Sequence, residues 1–224
     1  MKRFIPLLIS ISILAGLIYY HKDIVYWCIN AKLSFSMSMM LPYSLELAAI
    51  VAIVVSINRL FLKNVSHNIR RLVSLAVLLI AGGIAFAMHP IYDGDFNNTY
   101  RKIYYSGEYE NEFRKGLNMV VLPGCPFCHM RLNEMNKLKE LYPALPITVL
   151  VVHEDTLALQ DYKENSGAGI EVNFLSQDVV RILHIDSYPT IFYKEEVGDK
   201  DMKMWDNNGF GSAAWDYVLD EEDL

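Results

Sequence analysis

Two cysteines separated by two residues, Cys125-Pro126-Phe127-Cys128, are the side chains of this sequence best placed to do chemistry. The apolar run Met119–Leu122 leads into them, and an amphipathic helical pattern opens with them. A strand, then Cys-x-x-Cys, then a helix puts both thiols at a helix N-terminus. Unbonded N–H groups and the helix dipole there favour a thiolate. A thiolate beside a second thiol is what thiol–disulfide exchange requires. Position also assigns the roles. Cys125 lies ahead of the helix and is the attacking thiol; Cys128, inside the first turn, resolves. Pro126 suits that turn because its missing N–H is not needed there. Phe127 has no polar group with which to hydrogen-bond a thiolate. His129 either adds positive charge near the thiolate when protonated or is simply an exposed helix histidine.

Two other readings of the pair stay open, half of a zinc site and a static structural disulfide. Four-coordinate zinc needs two further ligands. The third cysteine, Cys28, is far upstream, and His129, His153 and His184 form no second closely spaced pair. We expect no metal and no cofactor beyond the redox-active disulfide Cys125–Cys128 itself. Cys28 alone cannot cycle as a redox pair and reads as an inert buried thiol.

Charge divides the chain. Residues 1–92 carry eight Lys/Arg against two acids, a net of +6, and residues 93–224 carry twelve against twenty-four, a net of −12. The acidic half has no basic patch, which argues against nucleic acid as a partner. The basic half holds three apolar stretches, about 4–20, 41–62 and 72–92. Phe4–Tyr20 follows Lys2-Arg3 and has the form of a signal peptide or an uncleaved first helix; Ala15-Gly16 is a weak cleavage site, and we expect an uncleaved helix. In the second stretch, Glu46 and Arg59 lie near the ends, where charges reach the interfaces. Leu72–Tyr92 runs 21 residues without Asp, Glu, Lys or Arg, enough to cross a bilayer. Its Ala81-Gly82-Gly83 is either a face for another helix or a flexible middle. Ile24–Met40, broken by Asn30, Lys32 and Ser-x-Ser, reads as an interfacial helix. Arg59, Lys63, Arg70 and Arg71 mark the loop between the second and third spans as cytoplasmic. The last crossing then delivers the acidic half outside the cytoplasm, where disulfides persist and a partner must set the redox state.

Residues 93–112 are polar and tyrosine-rich (Tyr100, Tyr104, Tyr105, Tyr109) and read as a linker entering a short helix that ends near Gly116. Beyond it, strands are expected at Leu117–Leu122, Ile147–Val152, Ile170–Leu175, Thr190–Tyr193 and Met202–Trp205, with a turn over Glu195–Lys200. Helices are expected from Cys128 to Pro143, over Thr156–Lys163 with Asp155 as cap, over Ser176–His184, and over Ser212–Leu219. Continuous apolar strands alternating with helices mean a central sheet covered on both faces. Trp205 and Trp215 read as core anchors.

With the strand before Cys125, the Cys-Pro-Phe-Cys helix start and the segment Tyr188-Pro189-Thr190-Ile191-Phe192, residues 113–224 resemble a thioredoxin fold. The longer stretch between Cys128 and Pro189, with its extra strand–helix piece at Val151–Leu175, is similar to the membrane-tethered TlpA/ResA-like thioredoxins of bacterial envelopes. The resemblance implies a cis peptide before Pro189 that faces the cysteine pair. It also implies a bacterial inner-membrane protein with a periplasmic redox domain, protein clients carrying disulfides (cytochrome c apoproteins among them) and a membrane or envelope redox partner. Tyr188 would line the rim for an extended client peptide, or pack as a core tyrosine. Two departures stand out. Thioredoxin relatives often carry a buried acid in the strand before the motif, whereas Met119 stands here, leaving Glu154 or a water as proton acceptor for Cys128. Pro126-Phe127 also occurs in glutaredoxins, whose Gly-Gly segment is matched here only in part by Asn208-Gly209-Phe210-Gly211. The expected architecture is thus an α-helical transmembrane region (1–92), a linker (93–112) and an α/β thioredoxin-like domain (113–224). The expected activity is a thiol–disulfide oxidoreductase working as a reductant. A non-catalytic interaction module of a membrane complex and a glutaredoxin-like activity are its alternatives.

Overall fold

The computed structural model describes residues 4–92, 94–104, 112–153, 155–196 and 201–224. Lys2, Arg3, Tyr105, Tyr109, Glu154 and the end of the expected turn at 197–200 lie outside the described residues. The chain forms two compact units, 1–92 and 93–224.

The first unit is helical, with α1 (Ile5–Tyr19), α2 (His21–Asn30), α3 (Phe35–Leu60) and α4 (His67–Met88). Both α3 and α4 are long and apolar enough to cross a membrane; α1 and α2, bent by 70° at their break, make a third only when taken together. On its own α1 has 15 residues, roughly 22 Å of helix against a hydrocarbon core of roughly 30 Å. The expected interfacial helix Ile24–Met40 is not one element. Its first part belongs to α2 and its last to α3, which begins at Phe35 rather than Leu41. The serines do not break α3, because their hydroxyls bond carbonyls one turn back: Ser38 to Ser34 at 2.8 Å and Ser44 to Met40 at 3.1 Å. Ser34 Oγ caps the helix by accepting the Met37 N–H at 3.3 Å. At the other end, α4 stops at Met88 rather than Tyr92, since His89 precedes Pro90 and leaves the helical region.

The third helix packs against α1, α2 and α4. Asn58 Nδ2 donates to Ser74 Oγ of α4 at 2.8 Å, a polar tie of the kind that holds apolar helices together. Glu46 does not reach an interface. It is 3% exposed, with its carboxylate 2.8 Å from His21 Nδ1. Gly82 and Gly83 have no atom within reach of an added Cβ, so nothing in the described chain uses that small-residue face.

The second unit is a mixed α/β sheet. Its strands are β1 (Arg101–Tyr104), β2 (Gly116–Val121), β3 (Ile147–Val152), β4 (Ile170–Leu175), β5 (Thr190–Lys194) and β6 (Asp201–Trp205). They lie in the order β1-β6-β5-β2-β3-β4, with β2, β3 and β4 parallel and the remaining pairings antiparallel. Helix α5 (Pro126–Leu141) follows β2, α6 (Thr156–Asn165) follows β3, α7 (Gln177–Ile182) follows β4, and α8 (Ser212–Glu221) comes last. The expected linker therefore contributes a strand, with Arg101 opposite Met204 and Tyr104 opposite Asp201. Its mostly exposed Arg-Lys-Ile-Tyr sequence suits an edge and carries no apolar run to announce it.

Every residue of β2, β3 and β5 is buried. On one face Val120, Leu150, Phe192 and Met204 pack with Val179 of α7 and with Leu183 and Ile185. On the other, Tyr193, Lys203 and Trp205 lie under α8. Tyr193 Oη donates to Glu222 Oε1 at 2.8 Å, the Lys203 ammonium sits 4.6 Å over the Tyr217 ring and bonds Glu195, and Trp205 meets Phe210, which meets Trp215. Burial, and then the Glu222 hydrogen bond, push the Tyr193 phenol up. Burial lifts Tyr217 to about 12. For Lys203 burial pulls the ammonium down, but the bonds to Glu195 and Tyr217 outweigh it and carry the group to about 12.

All three groups hold their protons more tightly folded than unfolded, so their contribution is complete below pH ~10 and is lost as pH rises through ~12. The urea midpoint of the full chain, followed by the near-ultraviolet signal of the buried tryptophans, should stay level from pH 7 to ~9.5 and fall steeply from ~10 to ~12.

Candidate functional site

The central strand β2 aims the chain at the site. After Val121 the turn Leu122-Pro123-Gly124 reverses it, with Gly124 at φ +66°, a conformation open to glycine at little cost. Cys125 follows in extended conformation as the N-cap of α5, with Pro126 in the first turn. Its Sγ accepts the Cys128 N–H at 3.2 Å, meeting one of the unbonded amides of the helix end. The two cysteines are joined as a disulfide with their Cα atoms 5.3 Å apart.

The two sulfurs differ in access. Cys125 is half-buried, whereas Cys128 is fully buried on the inner stripe of α5 with Leu132, Met135 and Leu138. Phe127 points outward at 60% exposed and Met130 at 62%, so the mouth of the site is apolar. Tyr188-Pro189 is a cis peptide. Thr190 is paired with Val120, so Pro189 falls beside the end of β2, where the turn to Cys125 departs. Pro189 is buried, and Tyr188 is half-buried against the apolar cluster, its phenol raised by burial and then by Asp186. Beside this peptide the buried Ser187 Oγ has no partner among the described residues.

Sequence reasoning missed a second group around the turn. Tyr162 of α6 is fully buried and donates its hydroxyl to the Leu122 carbonyl at 2.8 Å. His129 stacks on the Tyr162 ring with centroids 4.7 Å apart and planes 4° from parallel, and its Nε2 lies 3.3 Å from Asp161 Oδ2. Burial and then Asp161 push the Tyr162 phenol up to about 12. His129 is thus neither free nor simply exposed. The sequence placed a helix over 156–163, but nothing in it tied Asp161 and Tyr162 to a histidine some thirty residues earlier.

Cys-x-x-Cys-His is also the form through which haem is attached covalently. Here the sulfurs bond each other, Cys128 faces the core, and the imidazole lies between Tyr162 and Asp161. That arrangement does not present two thiols and a histidine to one ligand. No group of three or more metal-ligating side chains occurs among the described residues. The glycine segment at 208–211 is built into the fold. Gly209 N–H bonds Asp206, and Gly211 N–H bonds the Asn97 carbonyl at 2.9 Å. Cys28 is an unbonded, half-buried thiol of α2, in the other unit. Compared with known protein families, with characterised proteins and with solved structures, the chain matches none.

Tyr162→Phe keeps the ring under His129 and removes the 2.8 Å hydrogen bond to the Leu122 carbonyl. The Leu122 carbonyl then keeps the longer bond from the Cys125 N–H, at 3.4 Å. Urea unfolding should show a loss of about 1–2 kcal/mol. The same variant should lose less stability than the parent between pH ~10 and ~12, because one of the titrating phenols is gone.

Proposed function

We propose that this protein is a membrane-anchored thiol–disulfide oxidoreductase of thioredoxin type, acting on protein disulfides outside the cytoplasm. The observation that carries the reading is the Cys125–Cys128 disulfide at the start of α5, with the half-buried sulfur capped by an amide and the other sulfur buried. The cis peptide before Pro189 at the adjacent strand end supports it further.

In the reducing direction the Cys125 thiolate attacks one sulfur of a client disulfide. The other client sulfur leaves and takes a proton, and a Cys125–client mixed disulfide remains. Cys128 then loses its proton and attacks Cys125 Sγ. The second client thiol is released, and two electrons have passed from the cysteine pair to the client. The Cys128 amide stabilises negative charge on Cys125 Sγ in the first step. His129 in its charged form, held by Asp161, adds positive charge one helical turn along. Phe127 and Met130 offer apolar surface to an unfolded client. A partner in the membrane or envelope must return the pair to the dithiol. The alternative, a binding module that keeps a static disulfide, shares the same geometry. A glutaredoxin-like activity is disfavoured by the bonded amides of Gly209 and Gly211.

The orientation rests on Arg59, Lys63, Arg70 and Arg71, which flank the turn between α3 and α4 and favour a cytoplasmic position for it. With α4 as the last crossing, the sheet unit lies on the opposite side. A reporter active only outside the cytoplasm should work when fused after Leu224 and fail when fused at Val65; the reverse pattern would overturn the envelope assignment.

Cys128→Ser should accumulate mixed disulfides with client proteins in cells, released by dithiothreitol, while Cys125→Ser should trap none. If neither variant traps a client, the static-module reading holds. A reduction potential near −270 mV would fit a reductant, and one near −120 mV would assign the oxidising direction instead.

A further inference from the structure

A buried polar cluster in the helical unit plays no part in thiol chemistry. Glu46 lies three turns into α3 and is 3% exposed; His21 opens α2 just after the bend and is 6% exposed. Ionisable groups at membrane depth are uncommon without a functional reason. His21 Nδ1 and Glu46 Oε1 are 2.8 Å apart. On the other side of the His21 ring lies His89, the residue that ends α4, with ring centroids 4.2 Å apart and planes 12° from parallel. His89 Nε2 is 2.9 Å from the Ile18 carbonyl in the last turn of α1. A carbonyl only accepts, so Nε2 carries the hydrogen and Nδ1 is the nitrogen left to take a proton. Tyr43 of α3 meets the His21 ring edge-on at 4.6 Å. One imidazole thus joins the α1–α2 bend, α3 and the end of α4.

The charges around this cluster are few. Lys22 and Asp23, next to His21, are exposed. Arg59 is thirteen residues further along α3, roughly 20 Å away along the axis, and Lys63, Arg70 and Arg71 belong to that same far end. Among the described residues, His21, Glu46, His89 and the Tyr43 phenol are titratable groups in contact with one another here.

We propose that His21, Glu46 and His89 form a proton-operated clasp. One carboxylate with one imidazolium leaves the cluster neutral, and a neutral ring stacks well on a charged one. A second proton makes both rings cationic at stacking distance over a single carboxylate. Like charges so close in a poorly solvated site repel strongly, and imidazoles change charge in the range where such a switch is useful. Acidification then separates the rings and frees the end of α4 from α1. His89 stands three residues before Tyr92, the last residue of the helical unit.

Hydrogen–deuterium exchange on the full chain in lipid nanodiscs, corrected for intrinsic rates, tests this at pH 8 and pH 5. Two amides report directly, His89 N–H bonded to Ala85 and Tyr20 N–H bonded to Gly16. Protection of the segments around them should drop at least tenfold at pH 5, relative to Ile50–Ile57 in the same molecules. His89→Phe keeps a ring to stack but cannot take the proton. His89→Gln keeps a donor for the Ile18 carbonyl but cannot be charged. Each should show the same protection at both pH values. Unchanged protection in the parent protein, or a drop of the parent's size in either variant, would overturn the clasp.

Discussion

The site depends on one hydrogen bond, from the Cys128 amide to the Cys125 sulfur, and on the burial that fixes where it forms. A sulfur is a weak acceptor, so the bond gains its importance from position. It falls at a helix end, where several amides face the same way and none has a backbone partner. The helix can begin only there, because β2 is buried along its whole length between β3 and β5 and the turn after Val121 is held by the Tyr162 hydroxyl. The same alignment leaves Cys125 at the surface and Cys128 inside. Chemical asymmetry between the two thiols thus follows from where a strand stops.

The order of elements in residues 113–224 was legible because their strands are continuous apolar runs and their helices carry apolar residues at helical spacing. Cys125 and Cys128 were legible for the same reason, since a strand and a helix bracket them. What was hidden depended on pairing between distant segments. Strand β1 has exposed side chains and exists because β6 offers it a ladder. His129 reads as a surface residue until α6 brings Asp161 and Tyr162 against it. No sequence pattern connects those positions.

In the helical unit the misreadings share one cause. Asn30 and Lys32 do mark a break, since α2 ends at Asn30, but Glu46 marks no interface and the serines no break, because these find partners within the chain. The serines of α3 bond its own backbone, and Glu46 meets His21, twenty-five residues earlier. Inside lipid the alternative to an internal partner is none at all, so polar groups turn inward where in water they would turn out. The bend at Tyr20 is what makes room for this, because it swings the start of α2 over α3.

The pairing of β1 with β6 bears on how the molecule is made. Residues 101–104 leave the ribosome about a hundred residues before their partners at 201–204. Until then β6 is absent, and β5 has only its β2 neighbour. Contacts of such long range form late and slowly. The strand that waits is β1, which has no ladder until residues 201–204 have been made, whereas β5 at 190–194 is followed by β6 almost at once. The first strand of the sheet is therefore the last to be paired, and its exposed, charged side chains suit a segment that must stay in water until then.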